Sequence, residues 1–128
     1  MLTDQDFNEL VNYKAEKPVL SVYLNTDPAE GNADAHKLRL RSMLKEVNLA
    51  EDVNAVLRFF DHKHDWSGRS VAVFSCAPEG FWRAFSLAVP VRSRVRINET
   101  PHVKPLADLL DSYGGYGVVL VDKQGARL

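Results

Sequence analysis

The chain has 128 residues, 45% of them apolar and 26% charged, the composition of an ordinary globular domain that buries one core without a disulfide or metal staple. With 16 Lys and Arg against 17 Asp and Glu the net charge is -1, which disfavours a strongly basic nucleic-acid module and a strongly acidic chaperone and leaves room for local patches. The lone Cys76 excludes an intramolecular disulfide and fits a reducing compartment. The acidic start MLTDQDFNEL lacks the pattern of a signal peptide, and no apolar run approaches the roughly 20 residues of a membrane span, so a cytoplasmic location without a membrane partner is expected.

Thr3 and Asp6 resemble an N-cap with an acid at the third helical position, and Phe7, Leu10 and Val11 follow at helical spacing, predicting a first helix over 4–15. After Pro18, the run VLSVYL (19–24) reads as a largely buried strand closed by the turn Asn25-Thr26-Asp27-Pro28. Leu40, Met43, Leu44 and Val47 recur at helical spacing, as do Val53, Val56, Leu57 and Phe60, and together they predict a helical hairpin. A second buried strand covers VAVFSC (71–76). Pro78-Glu79-Gly80 leads into a third strand over 81–89, and Pro90 separates it from a fourth over 91–97. Short strands joined by tight Pro/Gly turns are most easily antiparallel. A short helix over 106–113 ends at Gly114-Gly115, followed by a strand over 116–121 and the turn Asp122-Lys123-Gln124-Gly125.

These elements predict an α+β fold, a mainly antiparallel sheet of about four strands flanked by helices. Residues 1–113 are expected to form one domain and 114–128 a strand-turn-strand that opens the next. Only Ala126-Arg127-Leu128 of the return strand is present, and an unpaired edge of that kind allows a homodimer of the fragment through it.

Few residues carry chemistry. Asp61-His62-Lys63-His64-Asp65 places two imidazoles two positions apart between carboxylates, a spacing compatible with a metal, but Trp66 stands where a further ligand is needed. The preferred reading is a charged helix end, with neither metal nor cofactor expected. Cys76 has no neighbouring base in sequence, no serine lies in a Gly-x-Ser-x-Gly elbow, and no phosphate-cradling Gly-x-x-x-x-Gly-Lys loop is present, so this fragment is not expected to be an enzyme.

Two basic clusters stand out. Lys37, Arg41 and Lys45 fall at i, i+4 and i+8 on a helix, with Arg39 on the other flank, and Arg92, Arg94 and Arg96 alternate along the predicted fourth strand. These seven side chains are the candidate RNA-binding residues, suited to phosphate contacts that position a protein without reading bases. The alternative is a solvated face. Trp82 and Phe85 beside Arg83 are expected in the core because they sit within a strand.

The succession PVLSVYLNTDP, a basic helical hairpin, SVAVFSC, GFWRAFSLAVPVRSRVRI, TPHVKPLADLLDSY and YGVVLVDKQGARL resembles the N-terminal domain of the bacterial relatives of the eukaryotic and archaeal class-I peptide-chain release factors. The most specific part is the C-terminal third, from Pro105-Leu106 to Val121-Asp122 and Ala126-Arg127-Leu128. The resemblance implies an antiparallel sheet flanked by helices in a three-domain protein that enters the ribosomal A site, with any peptidyl-tRNA hydrolysis dependent on a Gly-Gly-Gln loop in the second domain. The hairpin tip here reads VNLAED and has no Asn-Ile-Lys-Ser motif, Gly114-Gly115 is followed by Tyr116, and Phe74-Ser75-Cys76 with Phe81 matches the family's Tyr-x-Cys-x-x-x-Phe pattern only loosely. Stop-codon reading is therefore not expected. The resulting expectation is a non-catalytic, ribosome- or rRNA-facing domain of a translation protein acting in termination, rescue or dormancy. The competing expectation is a protein-interaction or scaffolding domain that has lost ribosome binding.

Overall fold

The computed structural model describes residues 4–64, 66–113 and 119–120. Among them are four α-helices, α1 (Asp4–Asn12), α2 (Ala33–Leu44), α3 (Ala50–Arg58) and α4 (Lys104–Tyr113), and five strands, β1 (Val19–Asn25), β2 (Ser70–Cys76), β3 (Phe81–Leu87), β4 (Arg94–Asn98) and β5 (Val119–Leu120). The sheet order is β4-β1-β2-β3-β5, with every pairing antiparallel. The expected α+β class is thus observed, hairpin helices included. The Thr3 cap, Gly114-Gly115 and the turn at 122–125 lie outside the described residues.

Helices cover both faces of the sheet. Leu40 and Leu44 of α2 and Val56 of α3 pack on Leu20, Val22, Leu24, Val71 and Val73. Leu10 of α1 and Leu106 of α4 pack with Val19, Tyr23, Ala72, Phe74 and Cys76 on the opposite face. Each residue of β2 is buried, as are the first six of β1. This double coverage is why both strands read as continuous apolar runs and not as alternating patterns.

Local chemistry sets the element ends. Asn32 caps α2 by accepting from the Ala35 amide at 2.9 Å, and the Asp27 carboxylate accepts from the Ala29 amide in the turn at 28–30. Gly80, at φ 67°, closes the β2–β3 turn in the left-handed region, where a side chain is disfavoured. The first helix is shorter than expected, and α4 begins two residues earlier, taking Pro105 into its first turn. Beyond α3 the helix widens into a π-type turn over Phe59–Lys63, which the periodicity alone does not reveal.

The chain from β3 to β4 departs most from expectation, because β3 and β4 lie on opposite sides of the central pair. Pro90 cannot extend the ladder, and the chain instead passes the ends of β2 and β1. The Ser70 hydroxyl donates to the Val89 carbonyl at 2.6 Å, and the Asn25 amide donates to the Ser93 hydroxyl at 2.9 Å. Strand pairing resumes only at Arg94, beside Tyr23.

The His36 and His102 imidazoles are held below the ordinary histidine range. For His36 the cause is burial and then the Arg39 guanidinium, partly opposed by Asp27 and the Gly31 backbone. For His102 it is burial, then Arg96, Arg94 and Lys104. The unfolded chain therefore binds more protons than the native one just below the free-histidine value of 6.5. Stability is expected to be full above that pH and to fall as the pH drops below it. Urea midpoints measured between pH 7.5 and 5.5 check this, and a flat profile contradicts it.

Candidate nucleic-acid interface

The seven candidate cations do not share one surface. Lys37 and Arg41 lie on α2 and Lys45 caps its C-terminal end; the apolar side of the helix packs against the sheet face of Leu20 and Val22. On β4, Val95 packs with that same layer. Arg94 and Arg96 alternate with it and stand in register with Tyr23 and Ser21, and Tyr23 belongs to the α1–α4 layer. The two clusters are on opposite faces of the sheet.

Arg92 is displaced from the row that its spacing predicts. It precedes the strand, and neighbouring Val91 is buried in the α1–α4 layer while Val95 is in the other. A single alternating strand over 91–97 would put both valines on one face. The irregular crossing at 88–93 breaks that phase and leaves Arg92 exposed outside the ladder.

Electrostatic compensation also separates the clusters. Lys37 Nζ lies 3.4 Å from Asp61 Oδ1, and Arg41 Nη2 lies 3.8 Å from Asp61 Oδ2. Arg39 Nη1 is 3.4 Å from His36 Nδ1, and Lys45 is exposed at the end of α2. Asp61, read from sequence as part of the His62/His64 segment, thus serves as a counter-ion for the helix stripe. By contrast, no carboxylate among the described residues forms an ion pair with Arg92, Arg94 or Arg96. One guanidinium nitrogen of Arg96 donates to the Val95 carbonyl at 2.9 Å.

Two residues absent from the sequence-based set join the β4 cluster. The His102 amide donates to Ser21 Oγ at 2.9 Å, and Tyr23 Oη donates to the His102 carbonyl at 2.5 Å. His102 is thereby pinned over β1 beside Arg94 and Arg96. Its imidazole meets the Tyr23 ring edge-on, with centroids 6.2 Å apart. Lys104, two residues on, adds a charge and pairs with Asp108 at 3.3 Å. Only the return of β4 to β1 creates this grouping, so no local spacing could reveal it.

Other candidates resolve into packing. Phe74, Cys76 and Phe81 are core residues, and Ser75 donates to the buried Asp52. Burial raises the Cys76 thiol above its ordinary range. Trp82 packs with the hairpin layer and Phe85 with the α1–α4 layer, as expected. His62 is exposed, whereas His64 packs against the rings of Phe59, Phe60 and Trp66. Among the described residues no three His, Cys, Asp or Glu side chains are grouped to hold a metal, and no helix is long and apolar enough to cross a membrane.

Residues 101–128 match the model of bacterial archaeo-eukaryotic release factor family 10, a stretch of less than a quarter of the chain. No curated protein matches the chain. The matched stretch begins at the connection carrying His102, continues through α4 from Lys104 and contains β5. In its C-terminal segment the chain is release-factor-like, in agreement with the family resemblance carried by those same residues.

Proposed function

We propose that this chain is a non-catalytic, RNA-facing domain of a release-factor-like translation protein, and that it meets ribosomal RNA through the β4 side of its sheet. The family match supports a translation-related role. The observation that carries the RNA reading is the grouping of Arg94 and Arg96, without carboxylate partners among the described residues, beside His102 and Lys104. Arg96 is exposed and Arg94 half-buried, and cations without a carboxylate partner suit phosphodiester oxygens, whereas the α2 stripe is partly neutralised by Asp61. The large aromatics near these clusters are packed in the two core layers, which leaves base stacking a small part in this contact.

Co-sedimentation of the full chain with ribosomes across a salt series tests the proposal. With about four phosphate contacts, log affinity should fall against log salt with a slope of roughly three. Absence of co-sedimentation even at low salt would overturn the RNA reading and favour the scaffolding alternative.

A further inference from the structure

The β4 cluster has a feature that simple phosphate contact does not require, an imidazole held among three cationic side chains. The position of His102 is fixed by its backbone, with its amide on Ser21 Oγ and its carbonyl on Tyr23 Oη. Because Ser21 and Tyr23 are the β1 residues paired with Arg96 and Arg94, those bonds hold His102 on the same face of the sheet as both arginines. Lys104 lies two residues further on at the start of α4. The charged groups acting on the ring are Arg94 and Arg96 from β4 and Lys104, paired with Asp108, from α4. From β1 the ring meets the neutral phenol of Tyr23. Arg94 Nε has no acceptor among the described residues.

We propose that Arg94, Arg96, His102 and Lys104 form a proton-linked phosphate site, in which His102 is neutral in the free protein and takes one proton from solvent when a phosphate group binds. In the unliganded protein, a fourth positive charge beside Arg94, Arg96 and Lys104 is electrostatically opposed. A bound phosphate reverses the balance by placing negative charge against the same ring, so imidazolium becomes the favoured form. Proton uptake and anion binding then strengthen each other reciprocally. The depressed titration of His102, attributed to burial and to the same three cations, agrees with this geometry. The RNA-facing reading supplies only the source of the phosphate, and the site chemistry stands apart from it.

The test follows the His102 imidazole resonance of the full chain by NMR across pH, alone, with inorganic phosphate and with a uridine dodecamer. The oligonucleotide affinity is measured in parallel at pH 7.5 and 6.0. The expected results are an upward-shifted His102 titration with either ligand and about fivefold tighter oligonucleotide binding at the lower pH. His102→Gln should remove this pH dependence, while His62→Gln, at the exposed histidine outside the cluster, should leave it intact. If the oligonucleotide binds with no pH dependence and no shift at His102, the proton-linked site is wrong and the RNA reading survives. If inorganic phosphate shifts His102 but the oligonucleotide does not bind, the site is right and the RNA reading fails. If neither ligand moves the resonance, the phosphate site is overturned.

Discussion

Replacing Asp52 with Ala should cost about 3 kcal/mol of folding stability, because a buried carboxylate accepting two hydrogen bonds is lost and both donors lose their partner. Asp52 is 3% exposed, in the first turn of α3, and its Oδ1 accepts from Ser75 Oγ at 2.5 Å and from the Ala77 amide at 2.8 Å. These bonds attach the hairpin to the end of β2. In the variant the Ser75 hydroxyl remains buried, and the Ala77 amide loses its acceptor as the chain leaves the strand. Asp52→Asn keeps an acceptor of similar shape and should cost about half as much. Equilibrium urea unfolding of the two variants against the parent checks both values. An Asp52→Ala variant within about 0.5 kcal/mol of the parent would show that the hairpin is held by its apolar layer alone.

Apolar periodicity made the elements legible, and long-range pairing hid the rest. VLSVYL and VAVFSC announce central strands because helices cover both faces, and Leu40 with Leu44, or Val53 with Val56, announce helices because only one side of each meets the sheet. The widened turn after Arg58 has no such signal, since Phe59 and Phe60 suit an α-helix equally well. The site was half legible. Alternation correctly puts Arg94 and Arg96 on one face, but the same rule applied to Arg92 fails where Pro90 and the crossing past β2 and β1 interrupt the strand. Asp61 emerges as the partner of Lys37 and Arg41 only once α2 and the turn after α3 are brought together. His102 was invisible as a site residue because its neighbours are chosen by the β1–β4 pairing and by hydrogen bonds from its amide to Ser21 and to its carbonyl from Tyr23.

The proposed phosphate contacts lie on the β4 side and not on the α2 stripe. The most direct measurement compares the salt dependence of RNA binding for the parent chain, the Arg94→Ala/Arg96→Ala pair and the Lys37→Ala/Arg41→Ala pair. All three should first be shown to unfold at similar urea concentrations. Removing the two β4 arginines should lower the log–log slope by between about one and two and weaken binding by about tenfold or more at low salt. Removing Lys37 and Arg41, which share Asp61 as counter-ion, should change the slope by less than about 0.5. A slope that collapses for the α2 pair and stays unchanged for the β4 pair would contradict the account and move the RNA contact to the opposite face of the sheet.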